Sequence, residues 1–221
     1  MPAPPNRNPL AGAWPGSRVL LIAGGPSLTR EQIEAARPAA AAGTLRVVGV
    51  NDAYRLCDFL HVLYAADWTW WRVHAPRAPL GPLWVTVAET VDLIERRPRP
   101  IGVPGVHSDR LSDDPHLIAY GQHSGFQALA LAVAAGASEL LLLGYDYRQA
   151  EDGRDHWFGD HPTECRHGGG PDTRARVLER FREAVDGIAD QLQARGVRVI
   201  NCSPGSALKA YPRMDIAEAL A

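Results

Sequence analysis

An unbroken apolar run, Val19-Leu20-Leu21-Ile22-Ala23, stops at Gly24-Gly25-Pro26-Ser27-Leu28, a pattern that reads as strand, tight loop and helix. Five apolar residues without alternation suit a strand buried on both faces, as in a parallel sheet covered by helices. Gly24 and Gly25 give the backbone conformations that a Cβ would forbid and let it come close to a ligand. Thr29 with Gln32 three residues on fits a capping box, opening a helix over residues 29–36 that Pro38 and an alanine-rich linker follow. Free amides of a helix N-terminus would then face whatever stands above Gly25, which makes Gly24, Gly25, Pro26 and Ser27 an expected anion seat. The alternative is a glycine turn that only closes a βα unit. The three spaced glycines of a dinucleotide fingerprint and the Gly-Lys-Ser/Thr of a P-loop are absent.

Further apolar runs end in polar or glycine residues in the same way: Leu45–Val50 at Asn51-Asp52, residues 59–66 at Asp67, and Glu139–Leu143 at Gly144-Tyr145-Asp146-Tyr147. Ligands of open α/β sheets bind beyond the carboxyl ends of the strands, so Asn51, Asp67 and Asp146 are contact candidates. Asn51 and Asp67 are equally good helix caps, Asn51 for a helix over residues 53–57. Trp68, Trp70 and Trp71 either wall a sugar-like group or bury against the sheet. Gln122-His123-Ser124-Gly125 opens an almost wholly apolar helix closed by Gly136. Such a helix is buried, and its start is a second expected phosphate seat. Residues 83–87 read as a strand, 89–97 as a helix, 101–106 as an edge strand beside Pro100 and Pro104, 173–195 as one amphipathic helix, and 197–200 as the last strand. Ser203 and Ser206 build the following turn or contact ligand.

At 221 residues the chain suits one domain, over 18–221, after a flexible Pro/Ala/Gly-rich tail over 1–17. A formal net charge of −2 argues against a general nucleic-acid or membrane-surface binder and leaves a small polar ligand. Lys209 is the sole lysine, so any phosphate falls to arginine forks or backbone amides. Cys57, Cys165 and Cys202 are few, odd and far apart, which reads as reduced thiols in a cytoplasmic protein. No run is long enough to span a bilayer. A homo-oligomer is left open.

Two polar stretches invite chemistry. Residues 107–123 read as a long loop or partial lid, whose Asp113-Asp114 pair precedes Pro115 and so suits a turn better than a metal. Residues 148–171 hold Asp155, His156, Trp157, Asp160, His161, Glu164, Cys165 and His167. His156, His161, Cys165 and His167 match no standard zinc spacing. A histidine acting as general base suits this loop better, since imidazole titrates near neutrality. Neither a metal nor a cofactor is expected.

Three blocks, Ala23-Gly24-Gly25-Pro26-Ser27-Leu28, Ser124-Gly125 before an Ala/Leu helix, and Leu142-Leu143-Gly144-Tyr145-Asp146, together with Asn51 after the second strand, stand in a familiar order. They resemble the Rossmann-like superfamily of bacterial lipooligosaccharide sialyltransferases, motility accessory factor proteins and archaeal 6-hydroxymethylpterin diphosphokinases, over most of residues 18–208. The resemblance implies a single-domain α/β fold, a mostly parallel sheet with helices on both faces. It also implies an enzyme that moves a sugar from a nucleotide, CMP-sugar type first, to an acceptor hydroxyl without metal. On that reading Gly25, Ser27, Asn51, Ser124 and Gly125 contact the nucleotide sugar, with Gly24, Pro26, Asp67, His123 and Asp146 beside them. His156 or His161 is the base, and Tyr145 or Tyr147 assists the departing phosphate. The first loop departs from the sialyltransferases, which usually carry Asn where this chain has Gly24 or Gly25. A pterin-type pyrophosphoryl transfer is the alternative, although its acidic metal-binding run is not found here, and a non-catalytic nucleotide-binding module is the third.

Overall fold

A computed structural model describes residues 7–95, 98–165 and 171–221. Strand β1 (Arg18–Ile22) leads through helix α1 (Arg30–Ala41) to β2 (Leu45–Val50) and on to β3 (Val62–Tyr64). Helix α2 (Trp68–His74), β4 (Leu83–Val87), α3 (Ala88–Val91) and β5 (Ile101–Val103) carry the sheet outward. A small parallel pair, β6 (Gly105–Val106) with β7 (Ile118–Ala119), precedes α4 (Ser124–Ala134) and β8 (Glu139–Leu143). Then come α5 (Pro171–Asp186), α6 (Ala189–Ala194), β9 (Arg198–Asn201) and α7 (Ile216–Leu220). The seven-stranded sheet is parallel throughout, in the order β5-β4-β3-β2-β1-β8-β9.

The apolar runs lack alternation because both faces are covered. Val19 and Leu21 pack with Phe126, Leu129 and Val185 on the α4–α6 side. Leu20 and Ile22 pack with Ile33, Trp71 and Ile216 on the α1, α2 and α7 side. Burying each such side chain contributes about 1.5–3 kcal/mol. At the amino edge of the sheet, Glu139 on β8 bonds Arg18 of β1 at 2.6 Å and Arg198 of β9 at 2.8 Å. All three residues stand level in the strand register. This ionic tie pins the register at the edge away from the strand ends that matter below. Among the described residues no helix is long and apolar enough to cross a membrane.

The structure departs from the sequence reading in several places. Residues 8–17, expected in a flexible tail, are docked: Leu10 and Trp14 are buried, and the amides of Gly12, Trp14 and Gly16 donate to the carbonyls of Ala134, Ala135 and Gly136. Helix α1 runs through Pro38, because the alanines that follow are strong helix formers and outweigh one missing amide. The run at 101–106 breaks at Pro104 into β5 and β6, which join different sheets, and β7 interrupts the supposed 107–123 loop. Helix α3 stops at Val91, and residues 96 and 97 of its expected length lie outside the described residues. The 173–195 helix divides at Gly187, where a Cβ would stand 2.9 Å from the Glu183 carbonyl. Helix α7 had no forecast. Trp70 and Trp71 are buried, whereas Trp68 is 39% exposed.

Candidate functional site

The chain winds from β1 toward β5 on one side and continues with β8 and β9 on the other. The carboxyl ends of β1 and β8 therefore flank a topological switch point, where open α/β sheets form a crevice. The loop after β1 closes directly onto the end of β8. Gly25 donates its amide to Gly144 O at 2.8 Å, and Ser27 donates its amide to Asp146 Oδ1 at 3.2 Å. A Cβ on residue 25 would overlap both Gly144 O and Asp146 Oδ2, so only glycine fits. The Leu28 amide turns back to Gly25 O, and the Thr29 amide is taken by Gln32 Oε1. Of the anion seat expected at Gly24, Gly25, Pro26 and Ser27, the Ser27 amide is thus taken by a carboxylate of the protein itself and the Gly25 amide by a backbone carbonyl. Asp146 is 2% exposed. Burial raises its carboxyl above the usual range, and the Ser27 hydroxyl and then the Ser27 amide work against that rise.

The start of α4 is also satisfied from within. His123 Nδ1 accepts the amides of Gly125 and Phe126 at 3.1 and 3.3 Å. Its proton is therefore on Nε2, which stands 3.3 Å from Tyr147 Oη. Burial, with Nδ1 already committed as an acceptor, lowers the His123 pKa to about 3. Ser124 Oγ accepts the Ala66 amide at 3.3 Å, and Tyr145 Oη donates to Gly125 O at 3.1 Å. Burial pushes the phenols of Tyr145 and Tyr147 well upward. His123, Ser124, Gly125, Tyr145 and Tyr147, expected to hold or release a phosphate, instead bond one another and Ala66 into a strut joining α4 to the ends of β3 and β8. Asp67 occupies the cap position of α2, is exposed, and makes no capping bond.

What the crevice does present is a row of buried acceptors. Asn51 Oδ1 is buried without a hydrogen-bond partner among the described residues, and Ser27 Oγ and Asp146 Oδ2 are buried beside each other with no partner from elsewhere among them. They follow β1, β2 and β8, three adjacent strands. Asn51 holds a φ of 51°, and Tyr147 one of 52°. Non-glycine residues take this left-handed region uncommonly, asparagine more readily than most, and such residues cluster at active sites.

The late loop folds across this row. Gly24 O accepts the Trp157 amide and the His156 ring, each at 3.2 Å. A carbonyl only accepts, so Nδ1 of His156 carries the proton and the lone pair is left on Nε2. Burial lowers the His156 pKa, and its bond to Gly24 opposes the shift. The His156 ring stacks on Phe158 and meets His161 edge-on at 4.5 Å between centroids.

Beside the loop opens a hollow of about 530 Å³ bordered by Arg55, His74, Arg77 and His161. Beneath it is Asp52, fully buried. Its carboxylate accepts Arg55 Nη1 at 3.1 Å and Trp70 Nε1 at 3.0 Å, with His74 Nδ1 3.7 Å and His161 Nδ1 3.9 Å away. Sequence reasoning missed this group. The strand-end position of Asp52 and its i,i+3 spacing to Arg55 were visible signals, but nothing in the order of residues links either to His74.

Cys57, Cys165 and Cys202 form no disulfide, and burial pushes the thiols of Cys57 and Cys202 up to about 12. Among the described residues no three His, Cys, Asp or Glu side chains are grouped to hold a metal ion. His167, part of the set weighed for zinc, lies outside the described residues. No protein-family model matches this chain. No curated protein matches it significantly.

Proposed function

We propose that the chain is a transferase that binds a nucleotide-activated sugar, a CMP-sugar first among them, and delivers the sugar to an acceptor hydroxyl with a histidine as general base. The observation that carries this reading is the row of Ser27 Oγ, Asn51 Oδ1 and Asp146 Oδ2 at the switch point. A buried polar atom without a partner costs about 1–3 kcal/mol, so Asn51 Oδ1 and the Ser27–Asp146 pair on neighbouring strand ends call for a ligand that donates hydrogen bonds. Ribose hydroxyls and an exocyclic base amine supply such donors. The carboxylate of Asp146 at the glycine loop disfavours a phosphate there. The phosphate charge falls instead to arginine.

His156 has the tautomer that a base needs, with Nδ1–H held by Gly24 O and Nε2 open to accept a proton. In the proposed step Nε2 takes the acceptor hydroxyl proton as the acceptor oxygen bonds the anomeric carbon. The bond from that carbon to the phosphate oxygen breaks, and the nucleotide leaves with the electron pair. His161 meets His156 edge-on and borders the neighbouring hollow. Titration calorimetry of the whole chain against CMP-, UDP-, GDP- and ADP-sugars tests the reading. Binding of one class, with release of its nucleotide in the presence of an acceptor, supports it; heat from none of the four sinks it.

A further inference from the structure

The hollow beside the crevice is built differently from the strand-end row, since it presents donors. His74 is 4% exposed, and its Nε2 is buried without a hydrogen-bond partner among the described residues. The ring has no freedom to turn away. It is stacked on Trp70 with centroids 4.7 Å apart and planes 6° from parallel, and Tyr54 Oη stands 3.2 Å from Nδ1. Nδ1 also stands 3.7 Å from Asp52 Oδ1, so the ring proton is on Nε2 when the phenol donates to Nδ1 and on Nδ1 when the phenol accepts. In the first arrangement the neutral imidazole is an N–H donor at Nε2, and burial favours the neutral form while the Asp52 carboxylate opposes it.

Two arginines border the same space. Arg55 is anchored by its bond to Asp52 and by the faces of Trp157 and Phe158, 5.2 and 5.3 Å from its guanidinium carbon. A guanidinium held this way gives up little freedom when it bonds a ligand. Arg77 forms no ion pair among the described residues and borders the hollow together with the acidic Asp160. Asp52 is already matched by Arg55 and Trp70 Nε1.

We infer that this hollow is a binding site for an oxyanion, the phosphoryl or carboxylate group of a small ligand, held by His74 Nε2–H, Arg55 and Arg77. Planar guanidinium forks and a ring N–H converging on one space match the lone pairs of such a group. The site deepens the sugar-transfer reading where the oxyanion is the nucleotide's phosphate and outlasts it where the oxyanion belongs to a second ligand, because its residues are not those of the strand-end row.

The test uses the whole chain with inorganic phosphate and pyrophosphate, followed by calorimetry and by the ring ¹⁵N resonances of the histidines. Saturable binding that moves the His74 Nε2 resonance is expected, weakened about tenfold by Arg77→Gln, the loss of a bond to a charged group. Tyr54→Phe frees the His74 tautomer and is expected to weaken binding several-fold, with the fold followed by circular dichroism. Non-saturating heats, or an affinity untouched by Arg77→Gln while the His74 resonance stays in place, overturn the inference. Cytidine monophosphate sorts the source. If it displaces phosphate, the oxyanion belongs to the nucleotide; if both bind together, it belongs to a second ligand. A chain that binds phosphate here and turns over no nucleotide sugar keeps this site and loses the transferase reading.

Discussion

The carboxylate of Asp146 fills the volume that any side chain at Gly25 would need, so the end of β8 and the loop after β1 are shaped to each other. The backbone contributes too, since Gly144 O lies in the same volume and accepts the Gly25 amide. Gly25→Ala therefore cannot be relieved by a rotamer change at Asp146 alone. It is expected to destabilise the fold by about 1–3 kcal/mol, the usual cost of overpacking. Urea unfolding measures it, and an unchanged midpoint would show that the loop stands farther from β8.

His123 gives the protein a dependence on acid. A histidine neutral at pH values where its unfolded counterpart is charged binds fewer protons folded than unfolded. Stability then rises with pH between the folded value, about 3, and the ordinary 6.5, and is flat above. The slope contributed is at most about 1.4 kcal/mol per pH unit. Asparagine, a good cap without a titrating ring, is expected to keep α4 and remove that slope. Unfolding at pH 7 and 4.5 should show wild type losing ~2 kcal/mol more than His123→Asn. His74 and His156, also lowered by burial, titrate in both proteins and cancel in the difference.

If His156 is the base, His156→Gln keeps a side-chain N–H for Gly24 O but has no lone pair of suitable basicity. Turnover is expected to fall by about 10²–10⁴, with donor affinity within a few-fold of wild type. The base acts unprotonated, so kcat falls as pH drops through its pKa. Burial puts that acid limb below the ordinary histidine value. A limb at or above 6.5, or a variant with full turnover, would assign the proton transfer to another group.

Much of the architecture was legible because it rests on local signals. Unalternating apolar runs gave the doubly covered parallel strands, and polar residues after them marked the carboxyl edge. Where two local rules competed, order alone did not decide. Pro38 and the alanines after it pulled opposite ways, and Gly187 divides a helix whose apolar spacing continues unbroken. At the site, glycine loops and helix starts announced free amides, but their partners come from across the sequence: Asp146 for Ser27, His123 for Gly125 and Phe126. Asp52 and His74 face each other only because β2 and α2 are brought together by the sheet.

Asn51 separates the needs of folding from those of binding. Its backbone, at a φ of 51°, is one that glycine adopts without strain, and its Oδ1 makes no bond within the described residues. If the side chain were present for stability, Asn51→Gly would cost the fold dearly. If it is present for a ligand, the relief of strain and the greater entropy of unfolded glycine nearly offset each other, leaving stability within about 1 kcal/mol. Donor affinity is then expected to drop about tenfold with the loss of one buried hydrogen bond. Denaturant unfolding and calorimetry on the same variant read the two quantities separately. A large loss of stability with affinity intact would make Asn51 a structural turn residue and remove one member of the row on which the transferase reading rests.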